Sequence, residues 1–463
     1  MGNEEKEKGL NENLSPITHH KEIVAKNELK IDEIKSNSSI INQIYLDPLD
    51  PTTPFKFSNI ALCEYCQTVY SHIIANYRQI ELKALQNFSF LMAYGGLDIS
   101  PFYVLDLSRS GVGKTANKTT QQYLLLDPIK DRQMEKYDKF KADENNKYKK
   151  AYFNNIHDDL SKGGIEASFN FEKVQMVELD EYARVSKDPI FKPLITSILR
   201  QHGKKIFLFQ HIKAMKADYK PIIKGAKLYA YFDTTIVTLG INDYIKEVQM
   251  GDLNRPITVF IDKKLKSKKH RDISKNIQEK YYNYANNLIE LSNKFKNFRL
   301  RDNNIQDNPV YDKFRQWHDK KEEALPEVLR DLYARADYNF IAIAQTLHFL
   351  KEFERYRQDN FNFKLSNSVD DDLLYEAFNF LSYYYSFDNL LNKLLGKEKN
   401  PYEMKKRLIF FIMKNKQIDK KISIKEIQTK NRTLNLNANE IKNLLENSVI
   451  FDEKRENILS LNL

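Results

Sequence analysis

Apolar residues recur at helical spacing over 58–93: Ile60, Leu62, Val69, Ile73, Ile74, Leu82, Leu85, Phe88 and Leu91. Positions three, four or seven apart share one helix face, so this stretch predicts two packed helices in front of a catalytic domain. The rhythm then changes. Residues 102–107, Phe-Tyr-Val-Leu-Asp-Leu, are a short apolar run of strand formers. A glycine-containing turn follows at once, and Thr115 to Leu126 read as a helix. Residues 129–155 are dense in Lys, Glu, Asp and Tyr and hold no Gly or Pro. That predicts a long solvated helix or a coiled-coil-like arm over about 129–160. Apolar runs return at 173–180, 206–209, 235–239 and 257–261. Strands alternating with helices predict a mostly parallel sheet.

After about residue 275 every periodic segment is helical, with long amphipathic stretches at 327–353 and 373–395. The tail predicts an apolar-faced helix at 402–414, then a short helix capped by Ser423 and reaching Gln428. Asn437 with Glu440 forms a capping box for a further helix to Glu446. Val449–Phe451 and Ile458–Leu461, joined by a charged turn, predict a hairpin. Three helices and a hairpin make the order of a winged helix. These shifts divide the chain into a flexible arm (1–50), lead-in helices (51–98), an α/β domain (99–275), a helical domain (276–400) and a winged-helix-like module (401–463).

Composition narrows the class. Of 463 residues 41% are hydrophobic, which buries a sizeable core and excludes a wholly disordered chain. Two cysteines make no disulfide framework. No secretory leader, myristoylation pattern or apolar run of about 18 residues is visible, so a soluble, cytoplasmic protein without membrane contact is expected. The 73 Lys+Arg exceed the 63 Asp+Glu by a formal charge of +10, which permits a polyanionic partner.

The strongest motif is Ser108-Arg109-Ser110-Gly111-Val112-Gly113-Lys114-Thr115. A Walker A loop turns backbone N–H groups onto a phosphate, so it needs glycine wherever a Cβ would intrude. Ser108 stands where the pattern has its first glycine. Ser110, Gly111, Val112, Gly113, Lys114 and Thr115 are the candidate ATP-binding residues. Lys114 would reach the β/γ-phosphates, and the Thr115 hydroxyl would hold Mg2+. Val177-Glu178-Leu179-Asp180-Glu181 is an apolar strand ending in two acids, the Walker B form. Asp180 is the second candidate metal ligand, and Glu181 is the candidate that orients or deprotonates the attacking water. Glu178 competes for that role, because alternate strand residues face opposite sides.

Asn242, just past the apolar run at 235–239, is either a γ-phosphate sensor or an ordinary turn residue. Arg255, just before the run at 257–261, is either a neighbour-supplied arginine finger or a surface ion-pair residue. Lys213, Lys216, Lys220, Lys224 and Lys227 crowd between the apolar runs at 206–209 and 235–239, after the Asp180-Glu181 strand end and before Asn242. Inward-facing loops of a subunit ring with these residues would line a positive channel for nucleic acid, with Tyr219 and Tyr229 stacking on bases. The run from Lys263 to Arg271 reads better as a solvated lysine-rich loop. Cys63 and Cys66 lack the further ligands of a zinc site and read as plain helix residues.

In their order, the motifs resemble a family of P-loop proteins from phages, plasmids and genomic islands that is related to primase-helicases. The shared pattern runs from lead-in helices through the Gly-Lys-Thr loop at 113–115, a long charged helix and the Asp180-Glu181 strand end. It continues through Gly251-Asp-Leu-Asn-Arg255 to the helical segments and tail, about residues 55–460. The resemblance implies an α/β P-loop NTPase core of RecA/AAA type, followed by an all-α domain and a winged-helix-like module. It implies ATP and Mg2+ as cofactors. It further implies an ATP-dependent DNA helicase or translocase that supports replication of a mobile element. Such a protein would work as a homo-oligomeric ring on single-stranded or forked DNA. No primase module or zinc ribbon precedes the loop, so a primase partner would be a separate chain. A rival expectation is a nucleotide-switched signalling or assembly ATPase, as in phage defence, without unwinding. A DNA-binding initiator that only binds nucleotide is a third.

Overall fold

The structure, a computed structural model, describes residues 53–146, 153–157, most of 168–261, 271–386 with short breaks, and parts of 408–461. The arm at 1–50 and the lysine run from 263 to 269 lie outside the described residues. Helices α1 (Ile60–His72) and α2 (Tyr77–Tyr94) form where the period predicts them. The Asn59 side chain accepts from the Leu62 N–H, and Asn76 with Gln79 forms a reciprocal capping box. The second helix is no appendage, because every residue from Tyr77 to Ala93 is buried. It packs on the sheet and on the surrounding helices, so its polar side chains must find internal partners.

Strand β1 (Tyr103–Asp106) runs through the loop at 107–113 into α3 (Lys114–Gln121). A π-helical turn over Gln122–Leu126 leads on to α4 (Asp127–Ala142). Next come β2 (Ile156–His157), β3 (Val174–Leu179) and the one-turn helix α5 (Tyr182–Val185). They are followed by β4 (Ile206–Leu208), β5 (Ile222–Lys224) and β6 (Lys227–Asp233). The helices α6 (Ile236–Leu239) and α7 (Ile241–Gln249) lead to β7 (Ile257–Val259). Five strands make one parallel sheet in the order β2-β3-β6-β1-β7. Asp106 is in register with Asp233, and Leu179 with Phe232, so the carboxyl ends of β1, β3 and β6 lie level. The longer helices that follow are α8 (Lys275–Lys294), α9 (Pro309–Glu323), α10 (Ala336–Gln358) and α11 (Asp371–Ser386). Helices α8 and α10 pack on α2, and α11 packs on β7. This is an α/β core with helical segments built onto it.

Three expectations are corrected. The run at 235–239 is helical, not a strand. Thr235 caps α6 by accepting from the Thr238 N–H, and Gly240 at φ 89° ends it. The strand in that region is β6, whose seven residues are all buried. A central strand covered on both faces shows no polar alternation, which hides it among Lys, Tyr and Asp. The run at 206–209 does not join the parallel sheet, since β4 pairs antiparallel with β5. The long helical arm is shorter than read. Helix α4 ends at Ala142, and β2 then joins the sheet edge with help from Asn155, whose side chain donates to the Val174 carbonyl at 2.7 Å.

The chain divides into two compact units, the first ending at Ser386. The second contains β8 (Ile422–Ser423), α12 (Ile424–Lys430), α13 (Ala438–Leu445), β9 (Val449–Asp452) and β10 (Asn457–Leu461). Its three strands pair antiparallel in the order β8-β10-β9. The Ser423 hydroxyl accepts from the Glu426 N–H, which is the cap read from the sequence. Ile424, Ile427, Ile441 and Leu445 are buried as the two helices pack together. The helix read at 402–414 lies mostly outside the described residues. Among the described residues, no helix is long and apolar enough to cross a membrane.

Candidate functional site

The loop after β1 is tied down before it turns. Leu107 and Arg109 donate their N–H groups to the carbonyls of Val259 and Ile261 beside β7. Between them the Ser108 hydroxyl accepts from the Ile261 N–H at 3.0 Å, and the Ser108 N–H reaches Asp106 at 3.1 Å. Ser108 is fully buried, so a serine at this position serves as an anchor where the usual pattern has glycine. Gly111 and Gly113 then take left-handed φ values of 79° and 82°. A Cβ on Gly113 would sit 1.5 Å from the Ile74 carbonyl oxygen, in the turn joining α1 to α2, whereas nothing lies within 4 Å of one on Gly111. Both glycines are needed for conformation, and Gly113 also for closeness.

Two substitutions separate these reasons. Gly111→Ala is expected to cost about 1–2 kcal/mol, the strain of a left-handed L-residue. Gly113→Ala should cost about 2–3 kcal/mol, because the turn behind it must also move. Urea unfolding of the two variants checks this, and equal losses would rule out the close approach.

At the start of α3, the Lys114 ammonium donates to the Ser108 carbonyl at 2.9 Å and to the Thr234 carbonyl at 2.5 Å. Among the described residues, the N–H groups of Gly111, Val112, Gly113, Lys114 and Thr115 have no protein acceptor. Unsatisfied donors at a helix start are the physical basis of an anion cradle. Ser110 and Thr115 are exposed beside them.

The acids stand opposite. Asp180, one residue past β3, pairs with Lys118 of α3 at 2.5 Å. Asp233 ends β6 next to it. Burial pushes the Asp233 carboxyl up to about 7, with the Asp180 carboxylate adding to the rise and Lys114 opposing it. The Glu181 N–H points to Asp233 at 3.4 Å. Glu181 has φ 54°, and among the described residues it is the one non-glycine in the left-handed region. Its side chain is 68% exposed. Backbone strain of this kind persists where surroundings enforce it, and it concentrates at working sites. Behind the loop, Asp106 accepts from Gln79 at 2.7 Å and from Tyr231 at 3.2 Å. Its complete burial raises its pKa against the lowering effect of the Ser108 hydrogen bonds, the Lys114 charge and the Gln79 hydrogen bond.

The structure therefore brings Lys114, Thr115, Asp180 and Glu181 to one end of the sheet, and it separates others from them. Glu178 is fully buried, with Lys83 and Gln122 bound to its carboxylate, so it faces the interior of the fold. Asn242 is exposed on the first turn of α7; the strand end touching Lys114 supplies Thr234 instead. Arg255 turns onto Asp252 of its own chain, 3.9 Å away, with 14% of its side chain exposed.

Lys227 is corrected as a nucleic-acid contact. It is buried at the start of β6 and donates to the Leu97 carbonyl at 2.6 Å, with Asp98 at 3.2 Å. The spacing of the lysines suggested a loop, but Lys224 and Lys227 belong to strands. Tyr229 is also buried, hydrogen-bonded to Ser89, so it stacks on no base. Lys213, Lys216, Lys220 and Tyr219 lie outside the described residues. Cys63 and Cys66 sit on α1, where the Cys63 thiol donates to the Phe57 carbonyl.

Lys118, Asp233 and Thr234 are site residues that the sequence reading missed. Lys118 was legible as a second lysine one helical turn after Lys114. Asp233 and Thr234 were hidden by the misplaced strand. No protein-family model matches the chain, and no curated protein does.

Proposed function

We propose that the chain binds and hydrolyses ATP with Mg2+ at the carboxyl ends of β1, β3 and β6. One observation carries this reading: a Gly-Lys-Thr helix start, with its N–H groups free, faces an Asp-Glu pair across one intervening strand of a parallel sheet. Ligands of open parallel sheets bind outside the carboxyl ends of the strands. The residues also fit the group, since the glycine cradle has open space at Gly111. Bound Mg2+ would neutralise charge on the transferring phosphoryl group. Lys114, Thr115 and Asp180 are the residues that would hold the phosphates and the metal, and the exposed Glu181 would orient water.

The finer reading is an ATP-driven helicase or translocase acting on single-stranded or forked DNA for a mobile element, in a ring of identical subunits. Its support is the motif order together with the second unit. There, a strand, two packed helices and a hairpin follow one another as in a winged helix. A module of that kind presents a helix to a DNA groove. The test is ATP hydrolysis by the full chain with and without single-stranded DNA, alongside mass measured with and without nucleotide. Stimulation of about tenfold or more is expected from a translocase whose cycle is coupled to DNA. Hydrolysis indifferent to DNA, with nucleotide-dependent assembly, would replace this reading with that of an assembly ATPase.

A further inference from the structure

Lys118 lies on α3 one turn beyond Thr115, so the hydroxyl and the ammonium share a helix face. Its side chain is only 8% exposed, whereas that of its partner Asp180 is 47% exposed. A lysine so buried persists only when paired. The neighbouring groups are already committed. Lys83 and Gln122 hold Glu178, Asn117 donates to the Gln79 carbonyl, and Lys114 bonds the carbonyls of Ser108 and Thr234. Among the described residues, the acceptor of the Lys118 ammonium is Asp180. Asp180 is therefore wanted by two cations, the ammonium beneath it and the metal that would reach its exposed side. Asp233 adds a second carboxyl next to it.

The geometry points to Lys118 as a built-in placeholder cation, holding Asp180 when no metal is present and competing with Mg2+ for that carboxylate. This rests on the P-loop reading above. Lys118 thus acts through Asp180 as a positioning residue. It sets the metal concentration at which the site fills.

The test uses the full chain with a non-hydrolysable ATP analogue and Mn2+ titrated by electron paramagnetic resonance. Lys118→Met and Lys118→Gln are expected to lower the half-saturating Mn2+ concentration about tenfold, the size of effect typical of groups that hold a metal ligand. Analogue binding without metal should stay within about twofold of wild type, and Lys118→Arg should keep wild-type metal dependence. A half-saturation point unchanged or raised in both neutral variants overturns the proposal.

A measurement on the unaltered chain guards against misfolded variants. Acylation of Lys118, followed by mass spectrometry, should rise over the same metal range as the resonance signal at fixed analogue. Labelling that ignores metal overturns the proposal equally. Failure of the P-loop reading gives a different result: the wild-type chain then binds no analogue at all, with or without metal.

Discussion

On the proposed reading, Lys114→Ala is expected to lower kcat/KM for ATP by on the order of 100- to 1000-fold, the loss that follows when one preorganised charge facing a developing anion is removed. The same substitution leaves the fold nearly intact. The Lys114 ammonium bonds two carbonyls, those of Ser108 and Thr234, and it is only partly buried. Truncation therefore frees two backbone acceptors and removes the cation that opposes the raised pKa of the Asp106 and Asp233 carboxyls, which take up protons more readily in the variant. A fluorescent ATP analogue should bind at least tenfold more weakly, while the urea midpoint should move little. Analogue binding within about twofold of wild type would remove the phosphate-loop reading, and with it the roles given to Thr115, Asp180 and Glu181. This separation of binding from stability matters because Gly113 does the reverse. Its substitution disturbs the α1–α2 turn first and the nucleotide only through it.

The sequence placed the loop and the acid-ending strand well because each carries a local signal. Gly111 and Gly113 announce a backbone that no other residue adopts cheaply, and the Gly-Lys-Thr spacing marks a helix start. Asp180-Glu181 follows an apolar run that needs no tertiary context to be seen. Strand β6 failed that test. Lys227, Tyr229, Tyr231 and Asp233 read as polar or amphipathic, yet each finds a partner inside: Leu97 and Asp98, Ser89, Asp106, and the Glu181 N–H. With β6 hidden in this way, the neighbouring apolar run at 235–239 carries the stronger local strand signal, although it is helical. Asn242 then reads as the residue after a strand end, and Lys227 as a loop residue. The role of α2 was illegible for a similar reason. Arg78, Glu81 and Lys83 are residue types that ordinarily stay in water, but Arg78 pairs with Glu81 at 2.5 Å and both are fully buried. Burial pushes the Glu81 carboxyl up to about 7 against the pull of Arg78 and the Phe55 N–H. Pairing between distant segments is absent from any local pattern, and it decides which charged residues are core.

Lys83→Met is the strongest test of that buried network. The Lys83 ammonium meets the Glu178 carboxylate, with both side chains at 0% exposure, and lies 4.8 Å from the centre of the Tyr231 ring. Removing one member of a buried pair strands the other charge, at a cost of about 3–5 kcal/mol. The partner substitution Glu178→Leu should cost a similar amount, since it strands the lysine and leaves the Gln122 amide without its acceptor. Together the two should cost much less than their sum, because an apolar pair of similar volume asks for no desolvation. Unfolding free energies of the two single variants and the double variant measure the coupling. Additivity within about 0.5 kcal/mol would show that the two charges do not depend on each other. The double variant also decides between the two acids of β3 and its end. If Glu178 only holds α2 and the π-turn to the sheet, the double variant below its unfolding temperature hydrolyses ATP within a few-fold of wild type. Glu181→Gln, by contrast, removes the exposed carboxylate beside Asp180 and should lower kcat at unchanged ATP binding. Loss of hydrolysis in a folded double variant would return the water-activating role to Glu178.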